Sequence, residues 1–379
     1  MKRMTLLFAT VAALVLSPPA MAQQAVTLNV VTAGDQNMVD YVKDYLGPMF
    51  EKAHPGVTVR AVGTGPGDAG SQKIYEKLEA EKGNASWDID VAVIHQKAAG
   101  EMVGKGLLAH YVAEISTGKL VTSEAAKNAL GVDVGGYVMP MFNSQTAIAY
   151  NTAMVSDPPA TYDALEKWVR ANPRKFGYNG IKGGMSGVAF VVGWIYAHSP
   201  DTNRLIKGPY DPDTKKSWGP ILAELAAFNK NVVLTPGNAG TLDMLNRGEI
   251  TMGPVWVDMF YDWQHDGKIP PDVKLKLIGP GMPAQPMYYV VPAKAANAKV
   301  AEDFIALATS PKVQADGIVK RFNWYPGIDA AAVKPQLDEA SWSKLFVDVT
   351  PEDLATKGKP FPMAPYFNDI LESYERKVQ

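Results

Sequence analysis

The chain is 379 residues long, 47% hydrophobic and 20% charged, a balance that describes a globular protein and argues against disorder. Its formal charge of −2 offers no basic field for nucleic acid. No Cys is present, which excludes disulfides, thiol catalysis and Cys-based metal sites, and the five His residues are scattered without ligand spacing, so neither a metal nor another cofactor is expected.

The N-terminus reads as a secretory leader. Lys2 and Arg3 precede the apolar run from Leu6 to Leu16, Ser17-Pro18-Pro19 breaks it, and Ala20-Met21-Ala22 supplies a small-residue cleavage box. The run is shorter than the roughly 20 residues that cross a bilayer, so cleavage after Ala22 and release into the periplasm are expected. Without Lys2 and Arg3, 35 basic residues face 39 acidic ones, a formal charge of −4. The remaining length suits two domains, at about 100 to 200 residues for each.

Val26 to Thr32 reads as a strand, and Gly34-Asp35-Gln36-Asn37 turns into a helix with Met38, Val42, Tyr45, Leu46, Met49 and Phe50 on its apolar face. Val57 to Val62 is a second strand, followed by a glycine-rich turn from Gly63 to Gly70 and a helix over 71–82; Asp88 to Ile94 is the third strand. Strands alternating with helices predict parallel βαβ units and an open sheet covered on both faces. Ligands of such sheets sit at the loops beyond the carboxyl ends of the strands, here 33–37, 63–71 and 95–97. Val138 to Asn143 and Ala147 to Asn151 read as two extended segments leaving the first lobe. A second α/β pattern follows, with a helix over 161–171, a strongly apolar segment over 187–197 and an amphipathic helix over 217–229. A short strand over 249–253 ends at Pro254, which suits the first turn of another helix. A strand over 287–292, a helix over 299–307 and helical pieces over 341–379 complete the pattern.

Several stretches occur in a telling order behind the leader: Phe50 to Val59, Asp88 to Val91, Gly106 to Leu108, Gly136 to Pro140, Ala149 to Asn151, Pro159 to Leu165, Pro292 to Asn297, Ala301 to Ile305 and Ser310 to Ala315. The most specific is Leu245-Asn246-Arg247-Gly248-Glu249-Ile250-Thr251-Met252-Gly253-Pro254-Val255-Trp256. Together they resemble the extracellular solute-binding proteins, family 1, that serve bacterial ABC importers. The resemblance implies an α/β, two-lobe periplasmic-binding-protein fold of the type II-like kind, each lobe a mostly parallel sheet flanked by helices. It places one lobe at 23–142 plus 283–326, the other at 147–280 plus 330–379, and hinge crossings at 143–146, 281–282 and 327–329. It implies a monomeric, non-enzymatic receptor that closes on a small polar organic solute and delivers it to an inner-membrane ABC permease. Presentation of the solute to a membrane sensor stays open beside delivery.

Trp256 and Asp258, two apart at a helix start, offer a stacking face and a carboxylate; a cation held over such a ring gains about 0.5 to 2 kcal/mol. The Trp-x-Asp pair resembles the cleft of polyamine-binding relatives, although the first-lobe loops carry Asp35, Gln36, Asn37 and Gln96 without the aromatic residues those relatives place there. An amine or polyamine-like solute therefore stands slightly ahead of a sugar or polyol. Ser71 at a helix start, Asn143 in the crossover, Ser186 after Gly183-Gly184, and Trp324 with Tyr325 near the hinge complete the candidate ligand set.

Two constellations point elsewhere. Gly65-Pro66-Gly67-Asp68-Ala69-Gly70 is a literal G-x-G-x-x-G between strand and helix, with Asp88 and Asp90 about 20 residues on, and supports an alternative reading as a secreted nucleotide-dependent α/β enzyme. Against it, Pro66 and Asp68 crowd the place of a pyrophosphate, and the unit is the second βα of the chain. Tyr288-Tyr289 invites comparison with ferric-ion-binding relatives, but neighbours in a strand point to opposite faces.

Overall fold

Strand β1 (Val26–Ala33) lies between two parallel partners, β2 (Val57–Gly65) and β3 (Val91–Ile94), in the computed structural model, which describes residues 25–378. The leader read from residues 1–22 lies outside the described residues. Alternate side chains of a strand face opposite sides, and both sides are covered here. Leu28, Val30, Val91 and Val93 pack under Met38, Val42, Leu46 and Phe50 of the helix after β1, while Ala92 and Ile94 meet Ile74, Leu78 and Met102 on the other face. That first helix, α1, runs from Gln36–Asp40 through a π-helical stretch, Tyr41–Leu46, to Gly47–Ala53.

Helix α2 (Gly67–Ala80) begins earlier than the expected residue 71, and α3 is Gln96–Gly104. Gly67 to Gly70 are thus the first turn of a helix and not an open loop. The close approach requires Gly70, because a Cβ there would sit 1.9 Å from the Gly65 carbonyl oxygen. Strand β3 is shorter than the expected 88–94, since the Asp90 carboxylate takes the Asn29 and Asn297 backbone N–H groups at 2.9 and 2.8 Å and ends the ladder there.

The remaining strands of the sheet are β4 (Val138–Asn151), β5 (Met252–Trp256), β6 (Val273–Lys276), β7 (Met282–Val290), β8 (Tyr325–Pro326) and β9 (Gly358–Pro360). Their order is β6-β4-β7-β3-β1-β2, with β5 and β8 also paired to β4 and β9 to β7. Where two extended segments were expected there is one strand, β4. Its residues from Val138 to Gln145 pair antiparallel with β7, and from Thr146 onward with β5 and then also β6. The strand changes partners between Gln145 and Thr146, so a single curled sheet runs from one lobe into the other.

After β4 come α4 (Tyr162–Ala171), α5 (Met185–His198), α6 (Trp218–Asn229) and α7 (Gly237–Asn246). The apolar segment is α5, a helix hydrophobic on all sides and therefore sunk in the core, where Phe190 and Trp194 pack with Tyr162 and Phe228. The Thr161 hydroxyl caps α4 by accepting the Ala164 N–H at 3.1 Å. Pro254 lies inside β5, opposite Ile148, and the helix it was expected to open, α8 (Val257–His265), starts three residues later. At Pro254 β5 has a strand on one side only, a setting in which a missing N–H is tolerated. Helices α9 (Ala298–Ala308) and α11 (Ala364–Lys377) add Phe304 and Phe367 to the main hydrophobic core, and α10 (Glu339–Lys344) packs half-buried Trp342 against it. Among the described residues, no helix is long and apolar enough to cross a membrane.

Candidate functional site

The loops beyond the carboxyl ends of β1, β2 and β3 converge on one cleft, as the parallel sheet demands. Asp35 and Asn37 come from the first, Gly67 from the second and His95 from the third; Asn238 of α7 and Trp256 and Asp258 at the β5–α8 junction face them, over a floor of Phe142, Ser144, Gln285 and Met287. The walls nearly meet. About 30 Å3 is open between them, room for a water or two.

Asp35 and Asp258 line this cleft and Asp262 lies behind Asn37, and each of the three carboxylates is bonded to a neutral group. Ser144 on β4 donates to Asp258, Asn37 Nδ2 donates to Asp262 Oδ2 at 2.9 Å, and Asn238 bonds Asp35. Burial raises the carboxyl pKa of Asp258 to about 7 and that of Asp262 to about 6, against the opposing pull of Ser144 and Asn37 respectively. Burial raises Asp35 as well, with the Asn238 bond opposing. Among the described residues none of the three carboxylates is in an ion pair. The oxygen of Asn37 opposite its bonded Nδ2 is shielded from solvent and has no partner among the described residues.

Second contacts hold these groups in place. Asn238 Oδ1 accepts from Ser186 Oγ at 2.8 Å and Asn179 Nδ2 at 3.1 Å, which orients its other end toward Asp35. The indole N–H of Trp324 donates to the Asp258 carbonyl at 3.0 Å, and its ring is packed between Phe142 and Phe322. His95 is buried, with Nδ1 3.0 Å from Ser71 Oγ; burial lowers its pKa and favours the neutral ring, while Asp68 works the other way.

Of the residues singled out from the sequence, Asp35, Asn37, Trp256 and Asp258 thus line the cleft. Ser186 and Trp324 stand directly behind it, and Ser71 is buried against His95. The others lie elsewhere. Gln36 is exposed and bonds Asp40 at 2.8 Å; Gln96, Asn143 and Tyr325 line a separate cavity behind the β4–β7 pair, where Asn143 Nδ2 donates to the Pro326 carbonyl at 2.6 Å. Asn238, Asp262 and Gln285 were not singled out. Asp262 had a signal, one helical turn after Asp258; Asn238 had only a Pro-Gly turn before a helix, and nothing in the sequence ties it to Asp35.

The dinucleotide-like glycines do not frame a ribose-binding acid. Asp90 is spent on the backbone N–H groups of residues 29 and 297, and Asp88 is paired with Lys77 at 3.0 Å on the surface.

The family model described as bacterial extracellular solute-binding protein matches residues 48–344. Among solved structures, the spermidine/putrescine ABC transporter substrate-binding protein PotD of Streptococcus pneumoniae is 15% identical, with a TM-score of 0.67 over 94% of this chain and 100% of that one. Maltose-bound MalE3 of T. maritima is 14% identical, with a TM-score of 0.71 over 94% of this chain and 96% of that one. A structure titled Atu4243-GABA receptor is 19% identical, with a TM-score of 0.66 over 93% and 98%. These likenesses establish the two-lobe fold. No curated protein sequence matches the chain.

Proposed function

The chain belongs to the bacterial extracellular solute-binding protein family, and we propose that it is a periplasmic receptor that takes a small amine-bearing solute between its lobes and passes it to an inner-membrane ABC permease. The observation that carries the choice of solute is Asp258, a buried carboxylate that lines the cleft beside half-buried Asp35, with half-buried Asp262 behind Asn37, none of them in an ion pair among the described residues. A buried carboxylate is costly until a counter-charge arrives, and an ammonium supplies both charge and N–H donors. The unpartnered Asn37 oxygen and the ring of Trp256 fit the same group, as acceptor and as stacking face. Relatives are named for spermidine/putrescine and for GABA, which bear amines, whereas another holds maltose, so the fold alone does not choose.

With room for only a water or two, the cleft must widen before a solute enters. Lobes hinged on β4, β7 and the chain near 327–329 provide that movement, and the partner change at Gln145/Thr146 supports a crossing at 143–146. The lobes then comprise 23–142 with 283–326, and 147–280 with 330–379. The solute favours the closed form only by binding it better than the open one. The leader fits this role, with cleavage after Ala22 delivering a monomeric, non-enzymatic carrier to the periplasm.

Calorimetric titration with putrescine, GABA and maltose tests the reading. An amine is expected to bind, and Asp258→Asn to weaken it more than about tenfold, or about 1.4 kcal/mol. Maltose binding that survives Asp258→Asn and is lost in Trp256→Ala overturns the amine in favour of a polyol.

A further inference from the structure

A second pocket, of about 150 Å3, opens where the C-terminal end of α8 meets the π-helical stretch Gln314–Lys320 and α10. Lys320, Arg321, Lys344 and His265 line it, from three separate elements. Arg321 and Lys344 have no carboxylate partner among the described residues, and Lys320 shares Asp316 with Lys312. Elsewhere in the chain close basic groups find acids, as Arg247 does with Asp243 and Glu249.

Asn323 on the pocket wall adds an independent sign. It is 8% exposed, has a left-handed backbone at φ 56°, and its side-chain amide has no hydrogen-bond partner among the described residues, with Nδ2 shielded from solvent. Asn is among the few residues that enter this conformation readily, and a buried amide without an acceptor is the mark of a missing partner. Arg321 is also held in place, its guanidinium 5.4 Å from the Tyr45 ring and 5.5 Å from that of Phe322. A planar fork fixed by two rings keeps its edge N–H groups for an oxygen pair.

We propose that this pocket is a binding site for a small oxyanion, a phosphate or a carboxylate, held by Arg321, Lys344 and Lys320, with Asn323 on its wall. Opposing charge is present but smaller. Each helix end turned to the pocket carries about half a negative charge, and the nearby Asp348 carboxylate accepts from the Tyr261 hydroxyl at 3.3 Å. Three cations, two from the end of the π-helical stretch and one from α10, outweigh these. The volume suits an oxyanion with a few waters and is too small for a folded partner.

Calorimetry on the purified protein in a zwitterionic buffer at fixed ionic strength tests the site, with inorganic phosphate in one arm and acetate in the other. Saturable binding of either anion is expected, and the arm that saturates names the class. Arg321→Gln and Lys344→Gln, both at exposed positions, are each expected to weaken it about tenfold with an unchanged Tm, whereas Asp258→Asn in the cleft leaves it as it was. Heats that stay linear to about 50 mM for both anions, or an affinity in both variants equal to that of the native protein, overturn the proposal.

Discussion

The β4–β7 pair has two faces, and they differ in a way that volume alone misreports. Phe142 and Met287 look into the cleft, Asn143, Gln145, Ala284 and Pro286 look into the cavity behind, and Ser144 and Gln285 reach both. The alternation follows from the strand period, since residues paired directly across two strands share a face. The rear cavity holds about 530 Å3, against about 30 Å3 in front. Yet its walls are largely apolar, with Tyr325, Trp342 and Phe346 among them. The buried carboxylate of Asp258, the half-buried one of Asp35, an orphan amide oxygen and a tryptophan gather on the narrow side. A site that works by closing is expected to be small when shut, so charge without a partner marks it better than empty space does.

The largest blow to this arrangement is Trp324→Ala. The ring is wholly buried beside Phe142 and Phe322 and secures the Asp258 carbonyl, so its loss should cost about 3 to 5 kcal/mol, read from urea denaturation. A loss under about 1 kcal/mol means the front wall does not rest on Trp324. Next comes Asp258→Asn, for which solute affinity and stability should move in opposite directions. The solute is lost, while the empty protein gains at alkaline pH because the group that resisted burial no longer ionises.

That gain has a pH signature. Burial raises the Asp258 carboxyl to about 7 and Asp262 to about 6, so between the usual carboxylate range near 4 and about 7 the folded protein holds more protons than the unfolded chain. Stability of the solute-free protein is therefore full below that window and falls as pH rises through it. Tm measured across pH 4 to 8 should decline through the window in the native protein and less steeply in Asp258→Asn. A flat native profile contradicts uncompensated burial of these acids. Proton release on amine binding, read by calorimetry in two buffers of different ionisation heat, should be largest inside the window and fade above it, where the free acids are already ionised.

Much of the cleft was legible because parallel βα units put their connecting loops on one edge. Asp35 and Asn37 follow from that rule once β1 is recognised, and Trp256 and Asp258 from a strand that runs into a helix. Contacts between distant segments were not legible. Asn238 reaches Asp35 only because Ser186, 52 residues earlier, orients it, and Asn37 meets Asp262 across 225 residues of chain. The facing of β4 was equally hidden. Read as two segments, it gave no parity, and Asn143 and Tyr325 were assigned to the cleft although the pleat turns them to the rear.

The rear face therefore yields the smallest expected effect and the sharpest check of parity. The Tyr325 hydroxyl is buried without a partner among the described residues, while the ring stacks on Phe346 at 5.8 Å and 19°. An unsatisfied buried hydroxyl carries a desolvation penalty of about 1 to 3 kcal/mol with no bond to offset it. Tyr325→Phe removes that penalty and keeps the stack, so Tm should hold or rise slightly. Solute affinity should stay within about twofold, because Tyr325 lines the rear cavity and its hydroxyl, though within range of the Asp258 charge, bonds no group of the cleft. An affinity change beyond that range, with Tm unaltered, shows that the rear cavity communicates with the cleft through β4 and that the two faces act together.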